Sequence, residues 1–259
     1  TNLPFAVPNL RIENPEAAAH VRVGWYRAVS NLPHAFAIQS FVDEMAQAAG
    51  KDPKDYLLEL LGPPREIDPR SINDTWNHGE DPALYPIDIG RLRRVTTLVA
   101  QESGWGKPMS RGRGLGIAAH YSFTTYVAAV VEVAVDAKGA LIIPRVDIAV
   151  DCGAIVNPER LRSQMEGAVM MGIGNTLGGE ITFKDGRALQ NNFDTFEVLR
   201  MNAAPKRINV HMIPGDYDAP LGGAGEPGVP PIAPALCNAI FAATGKRIRS
   251  LPIKGQLSA

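Results

Sequence analysis

The chain has 259 residues, 45% of them hydrophobic and 20% charged, with a net charge of −1. It is long enough to bury a large core, and it has no excess charge with which to gather DNA, RNA or an anionic membrane surface, so nucleic acid is not an expected partner. No stretch approaches the ~18 uninterrupted apolar residues of a membrane-spanning helix; the most apolar run, 126–135, is broken by Glu132 and has the composition of a strand.

Residues 1–23 show no period and include Pro4, Pro8 and Pro15, which predicts an extended segment lying against the body of the fold or a partner. Over 35–49 the residues Ile38, Phe41, Val42, Met45 and Ala49 recur at helical spacing, and Gly50 is a natural stop. Asp52 and Pro53 suit the N-cap and first position of a second helix running to Leu61, closed by Gly62 and Pro63. Residues 63–87 are rich in Pro, Asp and Asn and read as a long loop. It contains a formal glycosylation sequon, Asn73-Asp74-Thr75, which is discounted because the sequence has a bacterial character. Helical spacing returns over 88–103 through Ile89, Leu92, Val95 and Val99, ending near Gly104.

After Lys107 the pattern changes. Residues 115–121, 126–136 and 140–150 are rich in valine, isoleucine and tyrosine and predict three strands, with a hairpin turn at 136–139 between the last two. Asn157 and Pro158 resemble an N-cap and first-turn pair opening a helix to about Ile173. A strand over 179–183 with a turn at 184–187, a strand over 207–213 and a helix over 233–244 ended by Gly245 complete the chain. Strands and helices without regular βαβ alternation predict an α+β fold of mixed sheets with packed helices. A helix-rich part over 1–106 and a mixed strand and helix part over 107–259 are expected.

Residues 222–227 read GGAGEP. Small residues let backbone amides approach an anionic ligand closely, and Glu226 is placed to exchange a proton with whatever the loop grips; a tight turn carrying a solvated acid has the same composition. The RGRGLG of 111–116 has the look of a dinucleotide fingerprint, but the IAAHYSF that follows has strand character and opens no phosphate-binding helix. The two cysteines, Cys152 and Cys237, lack the paired spacing of a zinc or iron–sulfur site and read as buried free thiols. Cys152 in VDCGAIVNP invites a nucleophile reading, as in a cysteine-dependent aldehyde dehydrogenase. No histidine lies nearby in sequence, and the segment reads as a buried strand end.

Five segments in order, GWYRAVSNLPHAFAIQSFVDEMAQAAGKDP (24–53), RGRGLGIAAHYSFTTYVAAVVEVAVD (111–136), VDCGAIVNPERLRSQMEGAVMMGIG (150–174), NFDTFEVLRMNAAP (192–205) and GGAGEPGVPPIAPALCNAIFAATGKRIRSLPI (222–253), resemble the molybdenum-binding subunit of the xanthine dehydrogenase and aldehyde oxidase family. The branch resembled is the isoquinoline 1-oxidoreductase beta-subunit type. The chain starts at Thr1, as a processed product or fragment would, and looks like the C-terminal portion of such a subunit. The resemblance implies a molybdopterin-binding fold whose active site is completed by a chain carrying the upstream part of the subunit.

The activity implied is hydroxylation of an aldehyde or N-heteroaromatic carbon with oxygen taken from water, with Glu226 as the base. The cofactor implied is molybdenum with molybdopterin cytosine dinucleotide, and the metal takes no protein side-chain ligand. Electrons would pass to 2Fe-2S clusters on a partner subunit and on to an acceptor such as a cytochrome c. In this resemblance Arg27, Ala28 and Val29 lie beside the metal and its dithiolene, Gln164 beside the pterin, and Gly222, Gly223, Ala224 and Gly225 form the cofactor loop. Ala28 departs from the glycine that many relatives carry after the arginine. His120, Tyr121 and Phe123 are implied pocket residues, and a packed aromatic strand end explains them equally well. The branch often includes exported enzymes, so a periplasmic or partner-mediated membrane location is expected. The competing reading is a non-catalytic scaffold subunit of a multi-chain oxidoreductase.

Overall fold

The computed structural model describes residues 3–13, 15–19, 21–72 and 79–258; the sequon at 73–75 lies outside them. In chain order the elements are α1 (Asn31–Ala48), α2 (Pro53–Leu61), β1 (Glu66–Ile67), β2 (Ile87–Asp88), α3 (Ile89–Ser103), β3 (Arg113–Ser122), β4 (Thr125–Val135), β5 (Leu141–Asp151), α4 (Pro158–Leu177), β6 (Phe183–Lys184), β7 (Arg187–Ala188), β8 (Ile208–Met212) and α5 (Ile232–Thr244).

Three helices start on side-chain caps, two of them, Asp52 and Asn157, expected from the sequence. Asp52 accepts from the amides of Lys54 and Asp55, Asp88 from that of Arg91, and Asn157 from that of Arg160, each satisfying donors the first helical turn leaves open. Helices α3 and α5 end on Gly104 and Gly245 in the left-handed conformation.

The centre is a four-stranded sheet in the order β3-β4-β5-β8, antiparallel except that β8 runs parallel to β5. Parallel pairing needs a crossover connection, and α4 lies within the one that joins these strands. Side chains alternate across the sheet. Val127, Ala129, Val131 and Val133 face α4 and α5, while Tyr126, Ala128 and Val130 share a core with α1, α2 and α3. With both faces covered, β4 is apolar along almost its whole length. The result is mixed sheet and helix in the α+β manner.

Helix α5 lies directly on the β3 backbone. A Cβ on Gly116 would come within 2.2 Å of the Ala235 carbonyl oxygen, and one on Gly114 within 2.5 Å of that of Ala239, so only glycine fits at this seam.

Helix α1 departs from the expected pattern. It begins at Asn31, with Pro33 tolerated in its first turn, and Phe41 is 61% exposed. Its buried residues include Ala35, Gln39, Val42, Asp43 and Ala46, while Ile38 and Met45 pack only in part. The cause is what the helix covers. The Gln39 side chain accepts from the Ala119 amide on the outer edge of β3, and Asn238 of α5 donates to the Ile117 carbonyl, so side-chain amides satisfy an edge that would otherwise be open.

Two other expectations change. The loop over 63–87 contains the β1–β2 pair and a short 3₁₀ turn at Pro69–Ile72. The strand expected over 179–183 is reduced to Phe183–Lys184 paired with Arg187–Ala188. Gly179 is still engaged in closing α4 through its bond to the Gly174 carbonyl, and at Thr182 the carbonyl accepts from the Leu189 amide while its own amide goes to the Gln190 side chain, so regular pairing stops there.

Candidate functional site

The tripeptide Arg27-Ala28-Val29 forms a tight bend ahead of α1. Ala28 has φ +75° and Val29 φ +48°, left-handed values that are uncommon for any residue with a Cβ and rare for a β-branched one. The bend is closed by the Val29 amide donating to Tyr26 and the Asn31 amide to Ala28. Ala28 is fully buried, packed with Ala168 of α4 and Val229, and with Phe123, Leu32 and Met171 around them.

The amide of Ala28 donates to Oε2 of Glu226 at 2.8 Å. Arg27 Nε donates to the Gly225 carbonyl at 2.7 Å, and Nη2 reaches that same carbonyl. Nη2 also donates to the Gln164 carbonyl at 3.2 Å and to its Oε1 at 3.0 Å. Residues 27–28, Gln164 on α4 and the 225–226 turn, separated by 137 and 198 positions, therefore meet at one guanidinium. Burial lowers Arg27 from its ordinary value while the charge of Glu226 acts in the opposite direction. Arginine stays cationic under either influence.

The 222–226 loop hangs from the ends of β3–β5. The Gly222 amide donates to the Cys152 carbonyl at 2.9 Å, the Gly223 amide to the Phe123 carbonyl at 2.8 Å, and Thr125 Oγ1 to the Gly223 carbonyl at 2.7 Å. A Cβ on Gly222 would meet Thr125 Oγ1 at 2.2 Å, and one on Gly228 would meet the Ala168 Cβ at 2.8 Å, so these glycines permit close approach to the sheet end and to α4. Gly225 differs, because a Cβ there would meet nothing within 4 Å. The sheet end that anchors the loop is its floor, and there Asp151, the last residue of β5, is buried between Arg91, at 2.7 Å, and Arg94. Burial pushes its carboxyl upward, and the hydrogen bonds from the two arginines outweigh that and hold it below the usual carboxylate range.

A cleft of about 330 Å³ opens beside this floor, lined in part by Cys152, Arg160, Gln164, Leu221, Gly222 and Ala224. It lies in the roughly 300–1,000 Å³ range of small-molecule clefts. The Gln164 side-chain amide and the positive charge of Arg27 suit an anionic, heteroatom-rich cofactor better than a bare ion. Among the described residues no group of three or more His, Cys, Asp or Glu converges. A larger hollow of about 410 Å³ lies between α4 and residues 193–203 and is lined by none of these side chains.

Of the three aromatic-strand candidates, Phe123 stands at the site, in the left-handed conformation with φ +51° and against Gly223. His120 is buried with Nε2 3.0 Å from Asn31 Oδ1. Tyr121 stacks on Tyr126 with ring centres 4.8 Å apart. The hollow beside His120 and Tyr121 holds only about 10 Å³, about the room of a single water. Cys152 and Cys237 are both free and buried; burial and the Asp151 charge raise the Cys152 thiol, and burial pushes Cys237 up to about 12. A thiol held up in this way is a poor nucleophile. Thr125, which pins the loop through Gly223, and the Cys152 carbonyl could not be picked out in advance, since backbone anchors leave no residue signature.

Comparison with known proteins bears on this arrangement. A family described as a molybdopterin cofactor-binding domain matches residues 93–205. A nicotinate dehydrogenase chain of Pseudomonas putida is 33% identical over 268 residues, covering 98% of this chain and 20% of that protein. The beta chain of isoquinoline 1-oxidoreductase from Brevundimonas diminuta is 29% identical, covering 98% of this chain and 29% of that protein. The solved structure of aldehyde oxidoreductase from Desulfovibrio gigas overlays 90% of this chain and 41% of that one, with a TM-score of 0.65 and 14% identity, a likeness of fold. The chain thus spans between 20% and 29% of the length of these two curated relatives.

Proposed function

Because this chain belongs to the xanthine dehydrogenase and aldehyde oxidase family, as part of its molybdopterin-binding molybdenum subunit, we propose that it carries the base-bearing share of a molybdenum hydroxylase active site. The reaction proposed is oxidation of an aldehyde or N-heteroaromatic substrate at an electrophilic carbon, with oxygen drawn from water. The observation that carries this reading is the 2.8 Å bond from the Ala28 amide to Glu226, made where Arg27 joins the Gly225 turn to Gln164.

When bound, the molybdenum cofactor supplies the two-electron oxidation. The residues of this chain bind, orient and move a proton. Gln164 offers an amide that both donates and accepts toward a pterin edge, and the backbone of 222–225 together with the 330 Å³ cleft beside it would hold the cofactor's polar body. We take its form to be molybdopterin cytosine dinucleotide. Glu226 accepts the proton released as water-derived oxygen attacks the substrate carbon; the Ala28 amide fixes one carboxylate oxygen, which orients the other. Phe123, packed against Gly223, would form one wall of the substrate approach. The rest of the site, and the 2Fe-2S clusters that take the electrons, are proposed to lie on polypeptide outside these residues.

The test is metal and nucleotide analysis of the native complex, with mass spectrometry of each co-purifying polypeptide. Molybdenum and CMP stoichiometric with the complex, alongside upstream subunit sequence, are expected. A folded native assembly that contains this chain and lacks molybdenum would leave it the role of a scaffold.

A further inference from the structure

We propose that Arg27 is a positioning residue for Glu226, clamping the Gly225 carbonyl to Gln164 so that the amide of Ala28 is aimed at the Glu226 carboxylate. This rests on the reading of Glu226 as the base.

The geometry carries the inference. Two of the three guanidinium nitrogens, Nε and Nη2, are spent on protein acceptors, the Gly225 carbonyl and both oxygens of Gln164, so most of the fork holds the protein's own turn. These acceptors flank the catalytic turn. One is the carbonyl of the residue immediately before Glu226, and the other two belong to the helix against which Ala28 packs.

The Ala28 amide points at Glu226 only because Ala28 and Val29 hold left-handed backbone angles, which such residues adopt when their surroundings over-determine them. That bend is held by its two backbone bonds, by the packing of Ala28 against Ala168 and Val229, and by the Arg27 clamp. The fork matters more than the charge. A lysine ammonium on a flexible stem cannot reproduce donors fixed on two nitrogens of a planar group.

The experiment uses the native complex with Arg27→Lys, and reads molybdenum and nucleotide content, kcat and KM separately, and hydrogen exchange of peptides covering 222–229. Expected are unchanged cofactor content, a kcat lowered about 10- to 100-fold with KM nearly unchanged, as for a catalytic group misplaced by about 1 Å, and faster exchange over 222–229. Loss of cofactor with exchange unchanged would overturn the proposal and make Arg27 a cofactor ligand. Wild-type kcat and exchange would overturn it as well.

If Arg27→Lys does not assemble, Gln164→Leu removes a single acceptor of the clamp, and the same faster exchange is expected; unchanged exchange in the assembled variant contradicts the clamp. Glu226→Gln separates this proposal from its premise. If that variant keeps full turnover, the base assignment fails, while the exchange data still report whether Arg27 fixes the turn.

Discussion

The two loops that build the site solve opposite problems with residues that look interchanged. The 222–226 loop is rich in glycine, yet Gly222, Gly223 and Gly225 do not adopt left-handed angles; Gly222 is needed because neighbouring atoms leave no space for a Cβ, and at Gly223 a Cβ would press on that of Phe123 at 3.0 Å. The 27–29 bend is left-handed at two successive positions and uses alanine and valine there. The Phe123-Thr124 turn beneath the glycine loop is left-handed at both residues as well. Close approach and backbone strain are thus assigned to different segments, and the strained segments are the ones that present an amide to Glu226 and an aromatic ring to Gly223.

Removing the buried carboxylate at the end of β5 should have the largest effect. Asp151→Ala leaves the mostly buried Arg91 without its carboxylate, and a loss of about 3 kcal/mol or more is expected by denaturant unfolding. The sign of its pH dependence is fixed. The folded value of Asp151 is depressed, so its contribution is present above the unfolded value of about 4 and is lost as pH falls through the lower folded value. The gap between wild type and variant should therefore close in acid.

Gly222→Ala tests the demand for space, because its Cβ would sit 2.2 Å from Thr125 Oγ1. Overpacking of this kind costs about 1–3 kcal/mol, visible as a lower melting temperature. Ala28→Gly tests the demand for strain. Relief of the left-handed penalty is offset by glycine's extra chain entropy and by loss of the buried Ala28 methyl, so stability should stay within about 1 kcal/mol of wild type. Gly225→Ala should sharpen the contrast from the other side. With nothing within 4 Å, its stability should stay within about 0.5 kcal/mol of wild type, while cofactor retention falls if the ligand lies against that open face.

Much of the scaffold was legible in the chain. Asp52 and Asn157 cap the helices they precede, and the near-continuous apolar run of β4 corresponds to a strand covered on both faces. The face of α1 was not legible. Period alone favoured Phe41, and the helix instead turns Gln39 toward a strand edge whose unpaired amide a sequence does not display. At the site, Glu226 was a candidate from its glycine-rich loop, whereas Arg27 and Gln164 were picked out by family resemblance, since contacts spanning 137 and 198 positions leave no local pattern. His120 and Tyr121 share a strand with the residues that lead to Phe123, and only the turn after β3 separates the ring that meets the loop from those that fill the interior. Nor do Ala28, Val29, Phe123 and Thr124 announce left-handed backbone, because their types disfavour it.

The most direct test of the account is turnover by the assembled complex carrying Glu226→Gln, measured beside its molybdenum and nucleotide content. Glutamine keeps the shape and an acceptor for the Ala28 amide but cannot take the proton. Turnover falling to background with cofactor content and assembly unchanged is the expected result. A Glu226→Gln complex that keeps its cofactor and turns over at the wild-type rate would contradict the assignment of the base to this loop.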